Sequence, residues 1–328
     1  MLSKFLNTKT LIILLVILGG IFLVTKLTEK EDRTFKNQLV VIDTASVTQI
    51  KVLPKLGSED HEIVFTRTGQ EWKLESNGKF YKPDESSVKN ILSELLRMRT
   101  ERVAGTNEST WKDLEVTDST ASRIQVYDGS NILADLYLGK FSYTQAPQQD
   151  PRMQQRQQAR MFTNIRLADE ETVYVVEGMI KMSIQPKVDS YRAKILCASN
   201  PADITKVSFN YPGIDNFTLT RYENQWLLNG EAVDSTQTAR YLQKLQRLTS
   251  SNYVDDLEAL SNVPSYTVVV EGNNILPVEL KAYPVADTIH NTYVTSSLIP
   301  DTKYSGDKNR LFERVFVTRD KFFATIEE

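Results

Sequence analysis

The chain contains few of the cysteine and histidine side chains that metal sites and nucleophilic sites commonly use. Its 328 residues include one cysteine, Cys197, and two histidines, His61 and His290. A single cysteine allows no disulfide within the chain, which fits a bacterial periplasm or a cytosol but argues against a disulfide-stapled secreted domain. Because no histidine or basic cluster accompanies it, we expect Cys197 to be a buried apolar residue. No metal site or cofactor is predicted, since the two isolated histidines have no partners at a recognised ligand spacing.

An excess of positive charge is also lacking. Lys and Arg number 39 against 42 Asp and Glu, which gives a formal net charge of −3. This balance removes the electrostatic basis for nucleic-acid binding, so no nucleic-acid partner is predicted.

Catalytic motifs are absent or incomplete in the sequence. There is no Gly-x-Ser-x-Gly elbow, no phosphate-binding glycine-rich loop and no dinucleotide fingerprint. Ser86 and Lys89 fit the Ser-x-x-Lys pattern of penicillin-interacting enzymes, but the accompanying Ser-Asp-Asn and Lys-Thr-Gly elements are missing. We interpret that match as chance. We therefore predict no catalytic residues and a protein that is not an enzyme.

Two pairs of adjacent acids are the remaining candidates for acid–base chemistry. They are Asp255 with Asp256, and Glu170 with Glu171. Adjacent acids in loop-like surroundings are usually solvated charges, and we expect that here.

A hydrophobic run is present near the N-terminus. Every residue from 11 to 24 is apolar or glycine, with Lys4 and Lys9 before it and Lys26 after it. Its length is on the border between a signal-peptide core and a spanning helix, but no small-residue cleavage site follows. We predict an uncleaved transmembrane anchor and stalk over residues 1–37, with a cleaved signal as the alternative. The body is expected on the periplasmic side of the inner membrane, although the flanking cations alone do not give the orientation.

The body of the chain contains an internal repeat, since the pattern of residues 38–182 recurs in residues 200–326. Five blocks recur in the same order, at offsets that fall only where turn residues intervene. Trp72 and Trp226 occupy one place in this repeat, which favours core packing over a ligand groove. We predict two domains of ordinary size, at residues 38–186 and 187–328. The matched blocks begin at Val47 and Ile204, Phe65 and Leu219, Asp84 and Asp234, Asp128 and Glu271, and Val173 and Val315.

Each copy is predicted to be α+β, a mixed but mainly antiparallel sheet with one main helix. Apolar residues at helical spacing follow Asp84 and Asp234, whose carboxylates can accept the free amide hydrogens of a first turn. Alternating residues and turn signals place the strands. They are 62–67, 71–75, 122–128, 131–138 and 172–177 in the first copy, and 217–221, 225–228, 265–271, 275–283 and 314–318 in the second.

A long polar loop is predicted in each copy, at residues 144–160 and 286–311. The first is rich in glutamine. Both are expected either to contact a partner or to be solvated connections between strands.

Several short stretches together resemble a known family. They are the N-terminal run, Trp72 ahead of the helix at Asp84, and the stretches 111–114, 123–127, 138–139, 173–176 and 191–196. This pattern resembles the bacterial domain-of-unknown-function 4340 family over nearly the whole chain. The resemblance implies an anchored envelope protein, often encoded with an ABC transporter of the gliding-motility type, and it supplies no catalytic residues. The glutamine-rich stretch departs from the family pattern.

Two functions follow from these observations. The first is a membrane-anchored extracytoplasmic accessory or binding protein, with a protein partner such as an ABC transporter permease. The alternative is an envelope hydrolase whose site has no linear signature. A deep pocket with converging carboxylates would favour the hydrolase, whereas an exposed apolar patch on the long loops would favour the binding protein.

Overall fold

The computed structural model describes residues 35–144, 160–213, 216–255, 263–284 and 292–323, together with the helical positions Leu15, Ile17 and Gly19. The predicted transmembrane anchor lies outside these residues, apart from those three positions. In the described part of the chain, no helix is both long and apolar enough to cross a membrane.

The first half of the described chain forms an antiparallel sheet of nine strands. Their order across the sheet is β4-β3-β2-β1-β6-β7-β8-β9-β5. Two helices accompany the sheet, α1 at Glu85–Arg97 and α2 at Ile180–Ser183. The strands are β1 Gln49–Leu53, β2 Ile63–Thr68, β3 Glu71–Ser76, β4 Lys79–Tyr81, β5 Thr100–Gly105, β6 Ser122–Asp128, β7 Asn131–Thr144, β8 Arg160–Leu167 and β9 Val173–Glu177.

The second half forms an eight-stranded sheet and a two-stranded one among its described residues. The helices are α3 at Ser235–Leu245 and α4 at Leu311–Val315. The strands are β10 Ile195–Cys197, β11 Ile204–Asn210, β12 Phe217–Tyr222, β13 Gln225–Leu228, β14 Glu231–Ala232, β15 Leu248–Thr249, β16 Tyr266–Gly272, β17 Val278–Pro284, β18 Thr292–Ser296 and β19 Ile299–Ser305. The large sheet has the order β14-β13-β12-β11-β16-β17-β18-β19, and β10 pairs with β15.

The two large sheets share one strand order. Subtracting ten from each label in the second sheet reproduces the order of the first from β4 to β9. All pairings among the described strands are antiparallel, so the expected parallel component of a mixed sheet is not seen there. The predicted α+β class, with mainly antiparallel sheet and few helices, is confirmed.

Both main helices begin where the sequence predicts. Asp84 accepts a hydrogen bond from the Ser86 amide at 3.0 Å, and Asp234 accepts one from the Gln237 amide at 2.7 Å. Each bond satisfies an amide that has no partner in the first helical turn. The apolar stripes predicted from the spacing face the two cores, with Val88, Ile91, Leu92 and Leu95 buried on α1 and Tyr241, Leu242 and Leu245 on α3.

Gly139 allows a loop to cross the first sheet closely. A Cβ at this position would lie 2.5 Å from Val116 and 2.6 Å from the Leu114 carbonyl oxygen. Val116 belongs to a small cluster on that face, together with Ala121, Tyr137 and Val173. Any larger residue at 139 would push this loop away from the sheet.

Two sequence predictions in the second half are wrong. The expected strand at 314–318 is not formed, because α4 occupies Leu311–Val315. A short apolar run fits a strand and a buried helical turn equally well, which explains the error. The expected polar loop at 286–311 contains β18 and β19. In sheet order β19, not the segment at Val315, is the counterpart of β9, so the fifth sequence block is misaligned. Residues 145–159 of the other expected loop lie outside the described residues.

Candidate functional site: a cleft between the two sheets

An open cleft of about 1120 Å³ lies where the two sheets meet. One wall is formed by β3, β4 and the start of α1, and the other by the beginning of β19. Its surface mixes apolar and charged groups, including Trp72, Phe80, Lys82, Asp84, Arg192, Asp255, Ile299 and Asp301. Phe80, the middle residue of β4, is 72% exposed and therefore presents a large apolar surface to solvent.

Arg192 is a buried charged residue in the lining of this cleft. Its side chain is only 3% exposed. Both terminal nitrogens donate to the Asp255 carboxylate, at 2.6 and 2.7 Å, and Nη1 also donates to Asp189 at 3.0 Å. A buried guanidinium loses its hydration, and a two-pronged contact with a carboxylate is the arrangement that best compensates for that loss.

Two tyrosines enclose the guanidinium of Arg192. Its central carbon lies 4.2 Å from the centroid of the Tyr81 ring and 3.8 Å from that of Tyr253. A cation over an aromatic face is attracted by the ring quadrupole, more strongly when water is excluded. Burial raises the pKa of Tyr253 to about 12, although the nearby Arg192 charge acts in the opposite direction. We call Arg192, Asp189, Asp255, Tyr81 and Tyr253 the arginine clamp.

The clamp joins parts of the chain that are far apart in sequence. Tyr81 belongs to β4 of the first sheet, Asp189 and Arg192 to the connection between the halves, and Tyr253 and Asp255 to the second half. Backbone hydrogen bonds hold the connection to the first half: the Asp84 amide donates to the Tyr191 carbonyl, and the Ala193 amide to the Lys82 carbonyl, both at 2.8 Å.

The connection is held to the second half in the same way. The Ser250 amide donates to the Lys194 carbonyl at 3.0 Å, and the Tyr304 hydroxyl donates to the Ala193 carbonyl at 2.9 Å. Lys82 also reaches across the cleft and donates to the Leu298 carbonyl at 3.1 Å. The segment between the halves is therefore a fixed part of the structure, in agreement with the lack of a Gly/Ser-rich linker.

The carboxylates closest to the clamp have structural roles. Asp84 caps α1, accepts the Ser86 hydroxyl at 2.6 Å and lies 3.9 Å from the Lys194 ammonium. Asp255 is the bidentate partner of Arg192. The arrangement can hold a ligand by charge and by apolar contact, and it uses these two acids to maintain its own geometry.

The acids singled out in the sequence lie apart. Asp255 was expected to be a solvated loop charge, and that expectation is wrong because the acid pairs with Arg192. Its neighbour Asp256 lies outside the described residues. Glu170 and Glu171 do not line the cleft. Glu170 accepts hydrogen bonds from Lys36 and from the Tyr174 hydroxyl, and the Glu171 carbonyl accepts the Trp111 indole N–H at 2.9 Å.

Cys197 is fully buried, as the sequence predicts. Burial raises the pKa of its thiol. Two of the three tryptophans, Trp72 and Trp226, are half-buried against the two cores, as the repeat predicts. Trp72 also lines the cleft, so core packing describes its role only in part. His61 is exposed, and His290 lies outside the described residues. No group of three or more His, Cys, Asp or Glu side chains suited to a metal is found in the described ranges.

Sequence reasoning missed the clamp. The sequence offered one signal for the clamp: Arg192 lies in the stretch 191–196, which carries part of the family resemblance. Asp255 lies 63 positions further on, and no spacing rule connects the two residues.

Residues 156–263 match the model of a family described as Domain of unknown function (DUF4340). The resemblance to this family is confirmed for this segment, which is about a third of the chain. The stretches before residue 156 that also suggested the resemblance lie outside the match. The DUF4340 segment runs from just before β8 to the residues ahead of β16, and it includes four of the five clamp residues. Tyr81 is the exception. No curated protein and no solved structure matches the chain.

Proposed function

We propose that this protein is a membrane-anchored extracytoplasmic accessory protein that binds a protein partner. The partner class is an ABC transporter permease or another component of a cell-envelope complex, at the outer face of the inner membrane. The family resemblance motivates the partner class, and the hydrophobic run at residues 11–24 motivates the anchor. The observation that carries the binding role is the open cleft lined in part by the arginine clamp.

Three properties of the cleft support binding rather than turnover. It is wide and open, so water is not excluded from it and the charges that line it interact less strongly than in a closed active site. Its central carboxylates are engaged by Arg192 and by the first turn of α1. Its most exposed apolar group, Phe80, is an aromatic side chain of the kind that is enriched in protein interfaces.

We also infer that the two sheets arose by duplication of one unit. The support is the shared strand order, the equivalent capped helices, and the sequence blocks at Val47, Phe65, Asp84 and Asp128 with their counterparts. The domain boundary at residue 186 or 187 stays a prediction, because the connection is bonded to both halves.

The binding proposal can be tested with the full-length protein in mild detergent. Phe80→Ser combined with Asp301→Lys changes two exposed cleft residues, and it should lower the yield of the copurified membrane partner without changing the melting temperature. The matched control is Leu276→Ser, which removes an exposed apolar side chain (82% exposed) outside the cleft lining. Equal partner yields from the cleft variant and the control would contradict the proposal, as would substrate turnover by the purified chain.

The anchor and its orientation need a separate measurement. Leu276→Cys places an accessible thiol in the connection between β16 and β17, while Cys197 is buried and stays unlabelled. A maleimide that cannot cross the inner membrane should label this variant in spheroplasts. Labelling only after lysis would place the body in the cytosol, and a mature chain starting near residue 25 would show that the hydrophobic run is cleaved.

A further inference from the structure

A stripe of cations runs along the exposed side of α3. Arg240 and Lys244 are four residues apart on the helix, and Arg247 follows its last turn three residues later. Residues at this spacing lie on one side of a helix. The helix itself contains no acid that could offset them.

Tertiary structure adds further cations to this stripe. The Tyr241 hydroxyl donates to the Val315 carbonyl at 3.0 Å, and the Tyr241 ring packs on Phe322 at 5.3 Å between centroids. These contacts bring α4 and the turn at Arg319–Phe322 next to α3. The pKa of Lys244 is consequently lowered, first by burial and then by the charges of Lys321, Arg314 and Arg310.

Most of these cations form no salt bridge within the described residues. Arg310 pairs with Glu313. For Arg240, Lys244, Arg247, Arg314 and Lys321, no ion pair is found among the residues that the structure describes. We call these five residues the basic face. The whole chain carries a net charge of −3, so the basic face is a local concentration of positive charge on an acidic protein.

The fold does not require this charge. In the helix alignment that pairs Asp84 with Asp234, Asn90 of α1 corresponds to Arg240, and Glu94 corresponds to Lys244. The α1 segment has Glu85 and Glu94 against Lys89 and Arg97, so its charges balance. One of two equivalent helices therefore carries a repulsive set of cations, which is unfavourable for the isolated protein.

We propose that the basic face binds the anionic phospholipid headgroups of the membrane to which the protein is attached. Headgroup phosphates would relieve the repulsion among the five cations, and a bilayer surface accepts charges spread over two structural elements without a shaped pocket. The proposal rests on the proposed membrane anchor for keeping the body close to the bilayer. An acidic protein segment is the competing occupant.

The test uses the full-length chain in vesicles of phosphatidylcholine, with or without phosphatidylglycerol. A fluorophore on Gln243→Cys reports the distance of α3 from an acceptor dye on lipid headgroups. We expect energy transfer to increase with phosphatidylglycerol and to fall at high salt, because these contacts are screened. The matched control is Asn90→Cys on the exposed side of α1, where phosphatidylglycerol should have no effect.

Charge reversal tests the basic face directly. Lys244→Glu together with Arg247→Glu should remove the phosphatidylglycerol response, since each cation contributes about a fivefold change in affinity for an anionic surface. Lys89→Glu with Arg97→Glu on α1 should leave the response intact. The α3 variant should melt at the same temperature as the native chain or higher, because the substitutions relieve repulsion. A response that survives the α3 reversal, or energy transfer equal in both lipids, would overturn the proposal.

Failure of the anchor gives a different result. An unanchored chain would not float with pure phosphatidylcholine vesicles, yet the basic face would still carry it with vesicles that contain phosphatidylglycerol. Flotation with neither kind of vesicle overturns both proposals. Binding of polyglutamate by the chain, without any response to phosphatidylglycerol, would assign the basic face to an acidic protein segment instead.

Discussion

The two sheets have the same strand order but end differently. In the first, β5 pairs with β9 and completes the sheet. In the second, β15 pairs with β10 of the connection, and only the residues after it reach β19, where the Ser305 amide donates to the Asn252 carbonyl at 2.9 Å. The strand that follows the main helix is thus used in one half to close the sheet and in the other to hold the junction.

The cores differ as well. The first is mainly aliphatic, and its α1 contributes Ile91, whereas α3 contributes Tyr241 at the corresponding place. Tyr241 belongs to an aromatic cluster in which Phe209 stacks on Phe217 at 4.4 Å. The comparison teaches that the strand order depends on the alternation of buried and exposed positions, while the size and shape of the buried side chains can change together.

The largest expected effect comes from placing a charge in either core. Leu92→Asp and Leu242→Asp each put a carboxylate where the native side chain is at most 7% exposed. We expect a loss of several kcal/mol and unfolding of the corresponding half, because an unpaired buried charge is strongly unfavourable. Proteolysis of each variant should show which half has opened. If the other half opened as well, the two cores would form one cooperative unit.

Breaking the arginine clamp should have the next largest effect. Arg192→Met removes the partner of Asp255, a carboxylate that is 34% exposed and therefore partly screened by water. We expect a loss of about 2 kcal/mol, below the range for fully buried ion pairs, and two separate transitions in calorimetry. Arg192→Lys keeps the charge but not the two-pronged contact, so it should give an intermediate result. A single transition at the native temperature would show that the clamp does not couple the halves.

The helix caps offer a matched pair of smaller changes. Asp84→Ala and Asp234→Ala each remove an acceptor for a first-turn amide, and each should cost about 1 kcal/mol in chemical denaturation. Asp84 also accepts a hydrogen bond from the Ser86 hydroxyl and lies near Lys194, so Asp84→Ala should lower the free energy of unfolding slightly more than Asp234→Ala. A much smaller loss at Asp84 would indicate that these extra contacts contribute nothing.

The smallest expected effect is a change in stability at alkaline pH. The pKa of Tyr174 in the first half and that of Tyr253 at the junction are both raised to about 12, mainly by burial. Each tyrosine has a higher pKa in the folded protein than in the unfolded chain, where it is about 10. Its contribution to the free energy of unfolding is therefore complete below pH 10 and is lost as the pH rises from 10 to 12. Tyr174→Phe and Tyr253→Phe should each flatten the pH dependence of the unfolding free energy in that window.

Strong local patterns were predicted correctly from the sequence. Both capped helices, four of the five predicted strand pairs and the turn at Gly129 follow from alternation, helical spacing and turn residues. The strands β18 and β19 were missed because the stretch is polar and rich in turn residues, and its strands are stabilised by neighbours in the sheet. Strand preference of this kind depends on context more than on the residues themselves.

The sequence alone determined the class of fold, the two helix starts and the burial of Cys197, because each depends on residues close together in the chain. The tertiary structure alone decided the arginine clamp, the cleft and the basic face. Arg192 binds Asp255, which lies 63 positions further along the chain. Lys321 lies near enough to Lys244 to repel its charge because Tyr241 packs on Phe322. Contacts of this kind are set by how the sheets and helices pack, and no local pattern of residues encodes them.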